Sequence, residues 1–197
     1  MRLNLGCGAV TPAGWINVDY AIGARLARMP GLKLFFNVRW DPSIVIHDLT
    51  KRLPWADGTV DAIYCSHTLE HLDREQGARF LVECRRVIGP HGVVRIVVPD
   101  LAAYVRRYLA GRLRAEQFLE ELAVLHGSGV TGLKRALAPF VSYPHKCMYD
   151  ADSLTRALQA AGFHVILRAP FESAIGSLRD IELEDRTVDA VIAEATL

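Results

Sequence analysis

The first nineteen residues constrain the fold most, because they combine two short strands and a glycine turn. The segment Leu3-Asn4-Leu5-Gly6-Cys7-Gly8 is followed by Trp15-Ile16-Asn17-Val18-Asp19. Glycines at a strand end let a ligand approach the backbone closely. A carboxylate at the tip of the next strand can accept hydrogen bonds from a ribose diol. The two features together indicate a site for a cofactor that contains a nucleoside.

Composition narrows the class of protein. The 197 residues are 51% hydrophobic and 23% charged, which is typical of one globular domain, and we expect it to span residues 1–197. The net charge of +1 argues against a nucleic-acid partner. No apolar run is long enough for a bilayer, and the N-terminus lacks signal-peptide features. Four cysteines without a CxxC pair indicate neither a disulfide framework nor a zinc site, so we expect a cytoplasmic protein.

Seven short apolar runs, alternating with helical segments, predict the strands. Such alternation is typical of an α/β fold with a doubly wound, mostly parallel, seven-stranded sheet. The last two runs lack a strong helix between them, and we expect them to form an antiparallel edge hairpin. The predicted strands are Arg2–Leu5, Ile16–Val18, Ile44–Ile46, Val60–Tyr64, Val93–Val98, Val165–Leu167 and Val188–Ile192.

Two helices have clear boundary signals. Asp73 and Gln76 form a capping-box pattern before the first, which Gly89-Pro90 ends. The second begins near Asp150 or Asp152 and ends at Gly162. Asp19 comes only eleven residues after Gly8, which leaves the first helix of the fold reduced or missing.

Residues 101–149 form a longer block than a simple crossover needs. The spacing of apolar residues predicts a helix over Ala102–Leu125, broken by Gly127-Ser128-Gly129, and a second short helix over Thr131–Leu137. The block is either a helical insertion that caps the carboxyl edge of the sheet or a longer crossover with one extra helix.

Small and ionisable residues follow five of the predicted strands. In an open α/β sheet, ligands bind at the carboxyl ends of the strands. Each residue alone can be a turn former, a cap or a buried histidine, but five tips at one edge indicate a binding site. The residues are Gly6, Gly8, Asp19, Asp48, Ser66, His67, Glu70, His71, Pro99 and Asp100.

The spacing of the first motif disfavours a dinucleotide. The third glycine of a G-x-G-x-x-G fingerprint is replaced by Thr11, and Asp19 comes too early for a full helix that would hold a pyrophosphate. No P-loop motif is present. S-adenosylmethionine, which has a ribose and an adenine but no phosphate, fits this pattern better.

An ordered set of motifs resembles the class I S-adenosylmethionine-dependent methyltransferases. The short link after Gly8, the Pro99-Asp100-Leu101 step and the stretch from His145 to Asp150 are similar to small bacterial predicted methyltransferases of the type 11-like group, some linked to surface polysaccharide pathways. The resemblance implies a Rossmann-like fold and an S-adenosylmethionine cofactor. The motifs are Leu3–Gly8, Asn17–Asp19, His47–Leu49, Val60–Tyr64, Ser66–Leu72 and Arg86–Gly92.

The resemblance also implies residue roles. Gly6 and Gly8 would admit the methionine part, and Asp19 would hold the ribose hydroxyls. Asp48 would accept from the adenine amine. The expected cofactor-binding set is Asn4, Leu5, Gly6, Cys7, Gly8, Asp19, Tyr20, His47, Asp48, Leu49, Ser66 and His67.

Methyl transfer from a sulfonium needs positioning and, for a hydroxyl acceptor, a general base. His67 is the first candidate because it follows the fourth strand. His71, His145 and Asp100 are the further candidates for catalysis. His67 and His71 have i, i+4 spacing, as in some metal sites, but no third ligand is evident, and we expect no metal.

The acceptor is only broadly indicated. A Pro-Pro-aromatic step typical of nucleobase methylation is replaced by Cys65-Ser66-His67, which favours an oxygen acceptor on a small molecule or glycan. A non-catalytic module that binds the cofactor or a partner protein remains an alternative, and a nicotinamide-dependent oxidoreductase is disfavoured. Basic residues of the middle block are candidates to meet an anionic substrate or to form a solvated face: Arg106, Arg107, Arg112, Arg114, Lys134 and Arg135.

Overall fold

The computed structural model describes residues 1–26, 40–124 and 143–197. Seven strands form one sheet in the order β3-β2-β1-β4-β5-β7-β6. β7 is antiparallel to both of its neighbours, and the other pairs are parallel. The architecture is the predicted α/β, Rossmann-like, mostly parallel sheet. The strands are β1 Arg2–Leu5, β2 Ile16–Asp19, β3 Val45–Ile46, β4 Val60–Ser66, β5 Ile88–Pro99, β6 His164–Leu167 and β7 Ala190–Thr196.

The predicted helix starts are confirmed. The Asp73 carboxylate accepts from the Gln76 N–H at 2.8 Å, and Asp150 accepts from the Ser153 N–H at the same distance. Both form reciprocal capping boxes. The helices of the described residues are α1 Ile22–Leu26, α2 Arg74–Val87, α3 Leu101–Leu109, α4 Ala115–Glu121, α5 Ala151–Ala160 and α6 Glu184–Thr187, with a 3-10 turn at Leu69–His71.

The first crossover is as short as the spacing predicted. Residues 6–15, which are all described, contain no helix between β1 and β2. α1 follows β2 and has only five residues. The reduced first helix is therefore confirmed, and the β1 turn lies directly beside the end of β2.

The predicted single helix over Ala102–Leu125 is wrong. The structure has two helices, α3 and α4, because the chain turns at Gly111, which has a φ of +69°. Only glycine adopts this left-handed conformation without steric cost. α3 and α4 do form a helical insertion after β5. The predicted helix over Thr131–Leu137 and the preceding glycine break lie outside the described residues.

Two strand predictions need correction. β5 begins at Ile88, directly after α2, and the residues from Gly89 to Gly92 form an irregularity in its pairing with β4 instead of a separate turn. The last two strands are antiparallel as predicted, but β7 lies between β5 and β6 and continues to Thr196. No helix of the described residues is long and apolar enough to cross a membrane.

The two faces of the sheet bury different cores. On one face, strand residues pack with Phe80 and Leu81 of α2 and with Leu154 and Leu158 of α5. On the other face, residues of β4, β5 and β7 pack with Ile175, Leu178 and Ile181, which follow β6. The segment 168–183 therefore covers this second face of the sheet.

A buried ion cluster holds the segment 168–183 against the sheet. Arg95 of β5 is fully buried and contacts Glu182 at 2.8 Å and Glu194 of β7 at 3.1 Å. Its guanidinium also donates to the backbone carbonyls of Ala169 and Glu172. One strand side chain thus holds both ends of the covering segment.

Candidate methyl-transfer site

A cavity of about 640 Å³ lies at the carboxyl ends of β1, β2 and β4. Its size is within the range of small-molecule sites. Many residues predicted from the strand tips line it. These are Asn4, Gly6, Cys7, Gly8, Asp19, Tyr20, Asp48, Leu49, Ser66, His67 and His71.

The β1 turn closes one side of the cavity. Gly6 has a φ of +74°, and a Cβ built on it would lie 2.0 Å from the Thr68 Oγ1. Gly8 has a φ of +55°, but a Cβ there would meet open space. Gly6 is therefore required by the close approach of the chain after β4, whereas Gly8 is required only by backbone conformation.

We expect Gly6→Ala to be much more damaging than Gly8→Ala. The added methyl at residue 6 must displace Thr68, whose hydroxyl donates to the Ser66 carbonyl at 3.1 Å. Both variants carry a left-handed backbone cost of about 1–3 kcal/mol, and Gly6→Ala adds a steric cost of about 1–3 kcal/mol. Urea denaturation of both variants measures the difference. Equal stabilities would show that Thr68 moves aside freely.

Asp19 connects this turn to β2. Its two carboxylate oxygens accept from the Gly8 N–H at 2.8 Å and from the Ala21 N–H at 2.6 Å. The residue is 9% exposed, so it is more buried than a strand tip facing solvent. Carboxylate oxygens have further lone pairs, which can accept from a ligand. Asp19 therefore holds the turn and keeps lone pairs available for a ligand.

Asn4 and Cys7 shape the same turn. The Asn4 amide donates to the Val10 carbonyl and to the Asn17 Oδ1, both at 2.9 Å. Burial, followed by the nearby Asp19 charge, raises the pKa of the Cys7 thiol to about 12. Cys7 is therefore a neutral wall of the cavity, because a nucleophilic cysteine needs a lowered pKa.

The end of β3 supplies Asp48 and Leu49. The Asp48 Oδ1 accepts from the backbone N–H and the hydroxyl of Thr50, at 2.9 and 2.7 Å. Leu49 belongs to the core and also lines the cavity. A carboxylate beside an apolar wall is suited to an adenine ring with its exocyclic amine.

Leu5 and His47 belong to the predicted cofactor set but do not line the cavity. The Leu5 side chain is fully buried in the core under the sheet. The His47 backbone N–H donates to the Asp19 carbonyl at 3.2 Å, which joins β3 to β2. Leu5 therefore contributes to the core packing beside the cavity, and His47 contributes to the strand pairing.

His67 lies at the tip of β4. It has a φ of +49°, and its Nε2 donates to the Arg186 carbonyl at 2.9 Å. Its Nδ1 lies 3.5 Å from the Glu70 Oε1. Burial lowers the pKa of His67. The imidazole is therefore neutral near pH 7, and in this tautomer Nδ1 is the ring nitrogen that can accept a proton.

Glu70 is a buried carboxyl beside the cavity. It is fully buried, and neither side-chain oxygen has a hydrogen-bond partner among the described residues. Burial raises its pKa to about 8. The sequence analysis placed Glu70 at this strand tip but gave it no catalytic or cofactor-binding role. Its position between His67 and His71 was a signal for such a role.

His71 and His145 lie on the other side of Glu70. The His71 Nδ1 donates to the Pro144 carbonyl at 3.3 Å, and its ring centroid is 5.0 Å from that of His145. The His145 Nε2 is 3.9 Å from the Glu70 Oε1, and burial lowers the pKa of His145 to about 4. His71 lines the cavity, whereas His145 lies behind it.

Asp100 has a different place from the other catalytic candidates. Its carboxylate accepts from the Ala102 N–H at 3.0 Å, which caps α3, and it pairs with Arg106 at 3.2 Å. It does not line the cavity. This structural task is typical of aspartate at a helix start.

The basic residues that line the cavity are not among the six that the sequence singled out. Arg107 pairs with Glu121 and Asp189, and Lys134 and Arg135 lie outside the described residues. Lys146 and Arg186 line the cavity instead. Further lining residues that sequence reasoning missed are Ala9, Val10, Ala21, Trp40, Thr50, Tyr64, Thr68, Leu72, Gln76, Ile181 and Leu183, together with Tyr143, whose role the sequence did not decide.

Comparisons with known proteins agree with this fold. Residues 3–96 match the family model described as a methyltransferase domain. A SAM-dependent methyltransferase from Methanosarcina mazei has a TM-score of 0.54 and 20% identity, with 100% of this chain and 92% of that chain covered.

Two further solved structures are similar. A SAM-dependent methyltransferase from Thermotoga maritima, described as a possible histamine N-methyltransferase, has a TM-score of 0.53 and 16% identity, covering 99% of this chain and 81% of that chain. The DhpI–SAH complex has a TM-score of 0.50 and 15% identity, and the match covers 98% of this chain and 74% of that chain. The search of curated proteins found no match.

The sheet order and these similarities identify the Rossmann-like methyltransferase fold. Residues 3–96, just under half of the chain, resemble the methyltransferase-domain family. That resemblance supports a methyltransferase with S-adenosylmethionine as its cofactor.

Proposed function

We propose that this enzyme transfers the methyl group of S-adenosylmethionine to a hydroxyl oxygen of a small molecule or glycan. The observation that carries the proposal is His67, a neutral imidazole in the same cavity as Asp19 and Asp48. We regard residues 1–197 as one cytoplasmic methyltransferase domain, in which 101–149 is the helical insertion. The four cysteines are free thiols, which supports a reducing compartment.

The donor side of the proposal rests on the turn between β1 and β2. Gly6 and Gly8 would admit the methionine part, since neither has a side chain that fills the cavity. Asp19 would accept from the ribose hydroxyls, and Asp48 would accept from the adenine amine beside Leu49. All five residues line the cavity.

The reaction needs one proton acceptor. The acceptor oxygen attacks the methyl carbon, the carbon–sulfur bond breaks, and its electron pair remains on sulfur as a neutral thioether. The hydroxyl proton moves to the Nδ1 of His67 in the tautomer set by the Arg186 carbonyl. A positioned base typically contributes about 10²–10⁴-fold to the rate.

The acceptor end of the cavity carries positive charge. Lys146 and Arg186 line it. An acceptor with an anionic group, such as a sugar phosphate, would fit this charge. We accordingly propose glycans of surface polysaccharide biosynthesis as the first acceptors to test.

Methyl transfer is tested with purified protein and S-adenosylmethionine labelled on the methyl group. Hydroxylated sugars, sugar phosphates and short glycans are the acceptors, and primary amines of similar size are the controls. We expect label in a hydroxyl-bearing acceptor. Transfer to the amines alone would contradict the oxygen assignment, and binding without any transfer would support the non-catalytic module.

We expect His67→Asn to lower kcat by about 10²-fold, because it removes the proposed base. Asparagine tolerates the left-handed backbone at this position, so the substitution tests chemistry more cleanly than alanine. The binding constant for S-adenosylmethionine should change little. An equal loss in turnover and in cofactor affinity would mean that His67 only shapes the cavity.

A further inference from the structure

We propose that Glu70, His71 and His145 form a zinc site next to the methyl-transfer cavity. The three residues each offer one ligand atom, and these atoms all lie within 4.8 Å of one another. The proposal goes beyond the methyl transfer proposed above and does not depend on it, because metal binding is measured without cofactor or acceptor.

The donor set has the chemistry that zinc requires. Two imidazole nitrogens and one carboxylate oxygen are the ligands of a common class of catalytic zinc site, which keeps a fourth position open. Ligand atoms bound to one such ion lie about 3–3.5 Å apart. The Glu70 Oε1 and the His145 Nε2 are 3.9 Å apart. Small side-chain rotations would therefore bring the three ligand atoms within bonding distance of one zinc ion.

The unsatisfied Glu70 carboxyl is the independent sign of a missing ligand. It is fully buried, and both of its oxygens lack a hydrogen-bond partner among the described residues. A buried carboxyl without hydrogen bonds is unfavourable unless it is paired or coordinates a metal. A bound cation would satisfy it, and the residue is aimed at two histidines that can complete the site.

His71 is oriented as a metal ligand is. The His71 Nδ1 donates to the Pro144 carbonyl at 3.3 Å, which leaves the Nε2 lone pair for a ligand. Ligating histidines usually donate their other ring N–H to a backbone carbonyl in this way. His71 also lines the cavity.

The two segments that supply the ligands are already joined. The Glu70 backbone carbonyl accepts from the N–H groups of Lys146 and Cys147, at 2.8 and 3.1 Å. The turn after β4 and the chain before α5 are thus held together independently of the three side chains. Such a preformed arrangement reduces the ordering needed when a metal binds.

His67 is the competing neighbour of Glu70. Its Nδ1 lies 3.5 Å from the Glu70 Oε1, so a neutral glutamic acid donating to this nitrogen would be the alternative to a metal ligand. A metal site predicts that added zinc binds, whereas a hydrogen bond from Glu70 to His67 predicts that it does not. A zinc titration therefore decides between them.

The test is a calorimetric titration of tag-free, chelator-treated protein with zinc chloride. We expect one equivalent of tightly bound zinc and a raised Tm. Cobalt added in place of zinc should give the visible absorption bands that are typical of a site with a low coordination number. Absence of stoichiometric zinc binding by the wild-type protein would overturn the proposal.

Four variants test the ligand assignment, two at proposed ligands and two as controls. Glu70→Gln and His145→Gln should lose stoichiometric zinc binding and the rise in Tm, while His91→Gln, at an exposed histidine, should keep both. His67→Asn should also keep binding, because His67 is outside the ligand set. Unchanged zinc binding in folded Glu70→Gln, verified by circular dichroism, would overturn the assignment.

Discussion

Replacing Asp19 by alanine should weaken S-adenosylmethionine binding by about 10²- to 10⁴-fold. The variant removes the proposed acceptor of two ribose hydroxyls, and hydrogen bonds to a charged group each contribute about 1.5–3 kcal/mol. It also leaves the Gly8 and Ala21 N–H groups without their partner, so the β1 turn becomes less ordered. Isothermal calorimetry of the variant measures the loss.

Asp61→Ala is the matched control for this prediction. Asp61 lies near the start of β4, at the opposite edge of the sheet, and its side chain is 80% exposed. Its removal should leave cofactor affinity unchanged. Wild-type affinity in Asp19→Ala would contradict the ribose assignment and would move the nucleoside elsewhere in the cavity.

Arg95→Met should lower the free energy of unfolding by about 3–5 kcal/mol. Removing one partner of a buried ion pair leaves the remaining charge uncompensated. Here two carboxylates, Glu182 and Glu194, would lose their buried partner, and the Ala169 and Glu172 carbonyls would lose a donor. Urea denaturation of the wild type and the variant measures the change.

The exposed pair of Arg79 and Glu75 on α2 supplies the control. Their side chains are 58% and 80% exposed, and such surface pairs typically contribute about 0–1 kcal/mol. Arg79→Met should therefore be nearly neutral. A similarly small effect of Arg95→Met would show that the segment 168–183 is held by its apolar contacts alone.

The parts of the fold that depend on local patterns were predictable. The apolar runs placed all seven strands approximately, and the pairs Asp73 with Gln76 and Asp150 with Ser153 mark true helix starts. The short spacing from Gly8 to Asp19 predicted the missing first helix. In each case, residues within a few positions of one another determine the outcome.

The errors arose where distant residues or a single backbone angle decide. Apolar spacing continued through Gly111, and the pattern therefore did not show the turn that separates α3 from α4. The location of β7 between β5 and β6 depends on sheet pairing, which local periodicity does not contain. Asp100 was assigned to chemistry because it follows a strand, but it also precedes a helix, and capping determines its contacts.

The candidate site also combines features that local patterns predict with features that depend on distant residues. Strand tips correctly placed Asp19, Asp48 and His67 at one cavity, because parallel strands end at one edge. The contribution of Lys146 and Arg186 follows from contacts between segments far apart in the chain. Glu70 shows the same limit, since only its burial reveals that its carboxyl has no partner.

The most direct test of the central claim is a calorimetric titration of the wild-type protein with S-adenosylmethionine, with NAD as the control ligand. We expect saturable binding of one equivalent of S-adenosylmethionine and no binding of NAD, since the turn between β1 and β2 lacks the helix that would hold a pyrophosphate. Saturable NAD binding, with no binding of S-adenosylmethionine, would show that the cavity is a dinucleotide site instead.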